Sequence, residues 1–240
     1  MSSADRAAAE KLEGNNSPGA NVAVFMRLVC AVAGTALFAC GLTGFAETNT
    51  PCSDKVSARL QPRSVLVIDS LPAGLKIVGT DEASIHVSCT AGNEDNAQTV
   101  QLHFTPTADG GRLSIQGTHL RHGNNNLEVT IAVPWRTNLR IRMLAGDVKV
   151  ESIKGDKDID LGAGQITISA IQPSDYRSVE ASVSIGEVQA RAFNSDKGGF
   201  FRSFTRNTHT GEYRIYAHVT TGEVDLLGSA ANIEGTEKPD

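Results

Sequence analysis

Acidic side chains follow several glycines of this 240-residue chain at one fixed offset. The residue directly after such a glycine is polar, and in four of five cases it is an acid: Asp147, Gln165, Glu187, Glu212 and Glu223. Carboxylates that recur on neighbouring strands lie about 4.8 Å apart, and such a row offers oxygen ligands to a cation or hydrogen-bond acceptors to a sugar. Like charges at that spacing repel one another, so a polar turn position that favours acids is the alternative interpretation.

Three further carboxylates, Asp156, Asp158 and Asp160, stand at alternate positions. A calcium loop of the EF-hand kind that began at Asp156 would need Gly at its sixth place and Glu at its twelfth. The chain has Leu161 and Thr167 there. A solvated β-turn is therefore the prediction for this segment.

Two imidazoles, His119 and His122, lie close together in the sequence and precede Gly123 and three asparagines. A metal site would need a third ligand and a fixed backbone. A flexible polar loop fits this composition better. We therefore predict neither a metal site nor a cofactor site.

Common enzyme motifs are missing from the sequence. It has no Walker loop, dinucleotide fingerprint, nucleophile elbow or zincin helix. Enzymes that act on polysaccharides from a β-helix use paired acids or a basic residue in a groove, and this class remains the enzymatic alternative. No compact acid/base cluster is visible, so we predict that the protein is not an enzyme and has no catalytic residues.

An aromatic and basic cluster occurs late in the chain, within GGFFRSFTR. Aromatic side chains and Arg are enriched in binding hot spots, which makes this cluster a candidate contact patch for glycan, lipid or protein. The favoured alternative is that the Phe side chains cap an open end of the fold, because exposed strand edges pair with other chains. The candidate residues are Phe200, Phe201, Arg202, Phe204 and Arg206.

A repeated sequence motif, which we call the glycine phrase, predicts the strands that would position these side chains. It consists of Gly, any residue, an apolar residue, any residue and a second apolar residue, and it occurs at Gly146, Gly164, Gly186, Gly211 and Gly222. A sixth copy follows Gly111, and a looser copy has Ala73 in the Gly position. Apolar residues at two-residue spacing after a Gly are typical of a short strand that leaves a turn.

Each such strand is too short to bury a face alone, so the copies must stack on one another. The steps between the last five glycines are 18, 22, 25 and 11 residues, and steps near 20 suit the coil of a β-solenoid. We predict an all-β fold, a β-solenoid or single-stranded β-helix-like stack of short strands. The predicted inward residues are Val148, Val150, Ile166, Ile168, Val188, Val224 and Leu226.

The N-terminal segment is of another kind. No residue from Leu28 to Ala46 is charged, and Arg27 precedes this stretch. It is typical of a cleaved export signal, with small residues at Gly44 and Ala46 and cleavage before Glu47. A membrane anchor through residues 28–46 and a lipoprotein acylated at Cys40 are the alternatives. Chain translation from Met26 is also compatible with this pattern.

Two cysteines, Cys52 and Cys89, follow that segment. An even number of cysteines in an oxidising compartment favours a disulfide, so export predicts that these two pair. Unpaired thiols are the alternative, because sequence does not reveal whether the Cα atoms lie close together. No C-x-x-C motif is present that would indicate zinc or redox chemistry.

The organisation predicted from composition has five parts. The net charge is -5, and residues 47–240 carry all of that excess, so the electrostatic footprint of a nucleic-acid-binding protein is missing. Asn194 to Thr210 is the best candidate for a long loop. The parts are a polar extension (1–25), a signal or anchor (26–46), a linker (47–61), the β-domain (62–228) and a polar tail (229–240).

The run from Leu127 to Ser169 resembles the exported "putative adhesin" domains of unknown function found in bacterial cell envelopes. In that family an alternating strand ends in Val-Pro, and Gly-Asp-Val-x-Val and Gly-x-Ile-x-Ile follow. Val133-Pro134, Gly146-Asp147-Val148 and Gly164-Gln165-Ile166 occupy these places. The resemblance covers roughly residues 62–228 and implies an exported β-domain, with no catalytic residues to transfer.

The expected function is therefore a non-enzymatic binding or scaffolding module of the cell envelope. Its expected partner is an envelope protein or a glycan, and not nucleic acid. Its expected place is the periplasm, the outer envelope or the cell surface. A regulatory partner in envelope-stress signalling, working by protein contact from a membrane anchor, is the remaining alternative.

Overall fold

The alternating apolar runs fold as β-strands throughout the part of the chain that a computed structural model describes, residues 48–92, 98–117 and 127–229. Predictions that concern residues 1–46, His119, His122 and the tail beyond residue 229 lie outside these ranges. Two 3-10 turns, Pro173–Asp175 and Arg191–Phe193, interrupt the strands. The strands are β1 Thr48–Pro51, β2 Val56–Arg59, β3 Val65–Ser70, β4 Ala73–Thr80, β5 Ser84–Thr90, β6 Val100–Thr107, β7 Gly110–Gly117, β8 Glu128–Pro134, β9 Asn138–Glu151, β10 Lys157–Ile171, β11 Tyr176–Ala190, β12 Ser195–Asn207 and β13 Tyr213–Gly228.

These strands form one mixed 13-stranded sheet, whose main path is β1-β6-β7-β3-β9-β10-β13-β11-β12. Its centre is parallel, since β3, β9, β10, β13 and β11 run in the same direction. A second arm leaves β9 through β4, which pairs with β8, and continues through β5 to β2. The all-β prediction is confirmed, and the sheet is larger than a stack of short strands.

Four central strands are long and carry two sequence features each. In β9, β10, β11 and β13 an alternating run and a glycine phrase belong to the same strand of 14–16 residues. The prediction of separate short strands was wrong at these places, because the glycine changes the direction of the strand without ending its hydrogen-bonded ladder. Gly146, Gly164, Gly222 and Gly186 lie side by side in that order.

The spatial order of the repeats differs from their order in the sequence. A solenoid whose coils follow one another would place β11 beside β10, but β13 lies between them. The phrases after Gly211 and Gly222 both belong to β13, so the 11-residue step is not a coil. The structure thus shows a stacked parallel register for the phrase, in a large mixed sheet with a non-sequential strand order.

A single hydrophobic core lies beneath both halves of the long strands. The seven residues predicted to point inward (Val148, Val150, Ile166, Ile168, Val188, Val224 and Leu226) are all buried in it. Residues of the alternating runs, such as Ile141 and Ile159, join the same core. Full burial of one such side chain contributes about 1.5–3 kcal/mol, which explains why a strand register that buries all of them is strongly favoured.

Residues 48–61 are part of the fold, whereas the sequence predicts a linker over 47–61. They contain β1, which pairs with β6, and β2, which pairs with β5. Val56 and Leu60 are buried, and so is Cys52. Strands of four residues give too short an alternation to be recognised in a sequence, and partners distant in the chain stabilise them.

A disulfide joins Cys52 to Cys89, with 5.1 Å between their Cα atoms. It ties the segment between β1 and β2 to the end of β5. The cross-link spans 37 residues, a separation for which the chain-entropy model gives a stabilisation of about 3–4 kcal/mol.

Removing this cross-link is expected to lower the free energy of unfolding by about 3 kcal/mol, because the unfolded chain regains the entropy that the cross-link withholds. The variant is the double substitution Cys52→Ala, Cys89→Ala, compared with the oxidised protein by urea unfolding. The wild-type protein under reducing conditions is the control, and it should lose a similar amount. A loss below about 1 kcal/mol in both would contradict this account.

The segment Asn194–Thr210, expected as a loop, is mostly strand β12. It pairs antiparallel with β11 and lies at one end of the main path of the sheet. The glycines and charged residues of this segment are typical of a loop, so the sequence does not indicate a strand there. β12 pairs along the edge that β11 would otherwise expose, and the interpretation of its Phe side chains as a cap stays a prediction.

Candidate functional site

The predicted acidic row forms in the structure, with one member missing. Asp147, Gln165, Glu223 and Glu187 are neighbours across β9, β10, β13 and β11. Glu212 is not among them, since it precedes β13 and its backbone N–H donates to Asp175 O. The row lies on the outward side, because the residues that follow each member are the buried Val and Ile of the phrase.

Amide side chains relieve the repulsion between these carboxylates. Gln165 Nε2 donates to Asp225 Oδ2 over 2.8 Å and lies 3.5 Å from Glu223 Oε2. Gln189 Nε2 donates to Glu223 Oε1 over 2.7 Å. Desolvation, followed by the charge of Asp225, raises the pKa of Glu223. The row therefore stabilises itself by internal hydrogen bonds.

Within the described residues, no group of three or more His, Cys, Asp or Glu side chains is arranged to hold a metal ion. Gln165, which replaces an acid in the middle of the row, contributes an amide that donates to the acids beside it. These contacts support the interpretation of the row as a polar surface position.

Replacing Glu223 with Gln is expected to raise the free energy of unfolding, relative to the wild type, more at neutral pH than at acidic pH. The raised pKa means that the folded state favours the protonated carboxyl of Glu223. The contribution of Glu223 to stability is therefore fully present below the pKa of the unfolded state, and it is lost as pH rises through the pKa of the folded state. Glutamine resembles the protonated form at every pH. Thermal unfolding at pH 4 and pH 8 measures this, and an E223Q variant that loses stability at pH 8 would contradict it.

A second outward surface lies on the other half of the long strands. Arg140, Asp158, Tyr216 and Glu180 are neighbours across β9, β10, β13 and β11. Together with Arg214 they line a cleft of about 450 Å³, which we call the Tyr216 cleft. Asp158 belongs to a strand and not to the turn that we predicted, because Ile159 and Leu161 turn inward and direct the aspartates outward.

Most charges in the Tyr216 cleft are paired. Asp158 accepts a hydrogen bond from Arg142 Nη2 over 2.8 Å and lies 3.4 Å from Arg140 Nε. Asp156 Oδ1 accepts from the backbone N–H of Arg214 over 2.7 Å, and its other oxygen lies 3.9 Å from the Arg214 guanidinium. These contacts fix the positions of the two arginines at the rim of the cleft.

Tyr216 and Glu180 differ from these neighbours. The Tyr216 side chain is 38% exposed in the middle of the strand surface. Among the described residues, neither the Tyr216 hydroxyl nor the Glu180 carboxylate has a hydrogen-bond or ion-pair partner. An aromatic ring and a free carboxylate thus lie side by side on a rigid parallel ladder, available to a ligand.

Lys157 lies below this cleft, and sequence reasoning did not identify it. It occupies an inward position of β10 and is 1% exposed. Its Nζ donates to Ile153 O, Gly155 O and Tyr176 Oη, over 2.8, 2.9 and 2.7 Å. Burial lowers the pKa of Lys157 to about 7, against the opposing attraction of Asp156 and Asp175. Lys157 stands two residues before the buried Ile159, so the alternation along the strand directs both side chains to the same side. This alternation is the signal in the sequence that indicates the burial of Lys157.

The predicted contact patch on β12 includes one aromatic residue that the structure buries. Phe204 is only 9% exposed, and its ring stacks on Phe193 with 5.3 Å between centroids. The Arg206 guanidinium lies 5.1 Å from the Phe193 ring, and its Nη1 donates to Pro173 O. The side chains of Phe200 and Phe201 lie outside the described residues. Phe204 therefore packs against the core, and the contact-patch and capping interpretations of the segment stay predictions.

A serine, a histidine and a glutamate make contact on β2 and β5. His86 Nδ1 lies 2.9 Å from Ser57 Oγ, and His86 Nε2 lies 2.9 Å from Glu82 Oε2. Ser84 Oγ is equally close to Nε2. Ser57, Glu82 and His86 are exposed and Ser84 is half-buried, so water competes for these bonds and the contact lacks the sheltered setting that activates a catalytic serine.

Comparison with known proteins gives distant likenesses only. No protein-family model matches the sequence, and no curated protein matches it significantly. The structure resembles a "putative cell adhesion protein" from Clostridium sporogenes, with 14% identity and a TM-score of 0.48, over 73% of this chain and 99% of that one. A "putative lipid binding protein" from Parabacteroides distasonis has 14% identity and a TM-score of 0.21, over 50% and 67%. Neither likeness assigns a ligand or an activity to this chain.

Proposed function

We propose that the protein is an exported, non-enzymatic module that binds a component of the bacterial cell envelope. The observation that carries this proposal is the Tyr216 cleft, where Tyr216 and Glu180 lie without partners among the described residues. Paired strands on both sides hold these residues, so a ligand would bind without ordering a loop. Binding to such a preformed surface avoids part of the entropic cost of association.

The disulfide supports an extracytoplasmic location. Disulfides persist in oxidising compartments and are rare in the cytosol, and Cys52–Cys89 is well placed in the fold. Residues 28–46, which precede the domain, would direct export and then be removed, or would hold the protein at a membrane. Within the described residues, no helix has the length and apolar character needed to cross a bilayer.

A polysaccharide-active enzyme is a second candidate, because one observation favours it. Asp158 and Glu180 are separated by the single strand β13, which places their backbones about 9.6 Å apart. Inverting glycosidases hold their two carboxyl groups about 6.5–9.5 Å apart. Asp158 is already engaged by two arginines, and the exposed Glu180 lacks the apolar pocket that a general acid occupies. These contacts favour binding without hydrolysis.

The proposal is tested by expressing the full chain in a bacterial host that has an envelope. N-terminal sequencing and intact mass of the mature protein, with thiol labelling, report processing and the disulfide. Co-sedimentation with isolated envelopes reports binding, and analysis of the released sugars reports hydrolysis. We expect an exported, oxidised protein that co-sediments and releases no sugar. A cytoplasmic protein with reduced cysteines, or one that remains in the supernatant, would overturn the proposal.

The processed N-terminus also separates the forms of export. A chain that begins at Glu47 is an exported protein without an anchor, and an acylated Cys40 makes it a lipoprotein. An intact chain that begins at Met1 or Met26 favours a membrane anchor, and with it the regulatory partner as the function.

A further inference from the structure

We infer that the Tyr216 cleft is a glycan-binding site for neutral or amino sugars, an inference that rests on the binding function proposed above. The cleft combines an exposed aromatic ring with a free carboxylate and two rim arginines. Its volume of about 450 Å³ is within the range of small-ligand sites, about 300–1,000 Å³. The chemistry of each part indicates what it would recognise.

The aromatic ring provides an apolar platform. Tyr216 stands between Asp158 on one neighbouring strand and Glu180 on the other. Tyr presents a large rigid surface with two side-chain torsions, so it loses little entropy when a ligand packs against it. A sugar ring has an apolar C–H face and a polar rim of hydroxyls. It therefore suits a ring bordered on both sides by hydrogen-bond acceptors.

The unpaired carboxylate beside Tyr216 disfavours acidic ligands. Arg140 and Arg142 face Asp158, and Arg214 faces Asp156, whereas no cation contacts Glu180 among the described residues. A phosphate, an anionic lipid headgroup or an acidic sugar packed on the Tyr216 ring would therefore lie against the like charge of Glu180. Hydroxyl groups and a protonated amine would donate to Glu180, and the guanidinium of Arg140 would donate to ring or hydroxyl oxygens.

The test is calorimetric titration of the full chain, in the form that the host produces, with four defined trisaccharides. The neutral probes are N-acetylchitotriose and maltotriose, the amino probe is a glucosamine trimer, and the acidic probe is a galacturonic acid trimer. We expect binding of a neutral or amino probe with a dissociation constant of about 1 mM or lower, and no binding of the acidic probe.

Two substitutions locate the site. Tyr216→Thr keeps a strand-forming residue and removes the ring, and it should weaken binding about tenfold or more. Glu180→Gln should weaken the glucosamine trimer more than the neutral sugars, because it removes the partner of the ammonium groups. The matched control is Leu144→Thr, which removes a 75% exposed apolar side chain that lies outside the cleft and should leave binding unchanged.

Two results would overturn the inference. If no neutral or amino probe gives a heat of binding at a concentration 10-fold above the expected dissociation constant, glycans are excluded as the ligand class. Equal binding by wild type and Tyr216→Thr would remove the cleft as the site. If the wild type and Tyr216→Thr still co-sediment equally with envelopes, the binding function stands and only the assignment to this cleft fails.

Discussion

Replacing Gly222 with Ala is expected to prevent the chain from folding to this structure. The backbone at Gly222 has φ of +146°, a conformation that non-glycine residues essentially never adopt. A Cβ atom at this position would lie 1.7 Å from the carbonyl oxygen of Gly164 on the adjacent strand. The clash is with backbone, which cannot move without separating β10 from β13. We expect a loss of more than about 4 kcal/mol, enough to exhaust much of the stability of a domain.

The control for this experiment is Gly74→Ala on β4. A Cβ atom there would meet its nearest neighbour at 3.6 Å, which is ordinary van der Waals contact. This variant should stay within about 1 kcal/mol of the wild type in urea unfolding. Equal stability of G222A and the wild type would show that the glycine ladder does not hold the strands at this spacing.

Replacing Lys157 with Met is expected to have the second largest effect, and one that depends on pH. Methionine fills a similar volume but leaves Gly155 O and Tyr176 Oη without the donor that Lys157 supplies. Burial favours the uncharged amine, which has two N–H donors for its three oxygen neighbours and avoids the cost of a buried charge. We expect a loss of about 3 kcal/mol at pH 9 and little loss at pH 6.

The sign follows from the lowered pKa. In the folded protein the pKa of Lys157 is about 7, whereas its ordinary value is 10.5. Between these two values the unfolded chain binds more protons, so the wild type gains stability as pH rises through this window, by at most about 1.4 kcal/mol per pH unit. Below pH 7 the lysine is protonated in both states and the gain is absent.

Urea unfolding of the wild type and K157M at pH 6, 7.5 and 9 measures this difference. Other titrating groups are common to both proteins and cancel in the comparison. Lys149→Met, which removes an exposed lysine from β9, is the matched control for the loss of a lysine side chain. A K157M curve that runs parallel to that of the wild type would contradict the buried-amine account.

Alternation and glycine spacing were sufficient to predict an all-β fold and the inward residues, but not the arrangement of the strands. Val148, Ile166 and Val224 repeat at one offset from a glycine, and the structure buries all three. This success has a local cause, because successive side chains of a strand point to opposite sides whatever the strand pairs with. The cysteine count likewise favoured a disulfide, and Cys52 and Cys89 are joined in the structure.

Pairing between distant segments was decided only by the tertiary structure. The sequence order of the repeats suggested consecutive coils, but β13 inserts between β10 and β11. The sequence predicts a linker where β1 and β2 lie, because a strand of four residues is too short to show an alternation. These strands are stabilised by pairing with β6 and β5, which are distant in the sequence. Strand order and edge pairing depend on which surfaces meet, and a local pattern carries no record of that.

The candidate site shows the same division. The sequence by itself determined that polar side chains alternate with buried ones along each strand, as in Asp158 and Tyr216. Only the parallel register placed Tyr216 between Asp158 and Glu180, residues from three strands, and only the packing enclosed Lys157 beneath them. The physical reason is that a side chain's direction is a property of its own strand, whereas its neighbours and its solvent exposure are properties of the whole sheet.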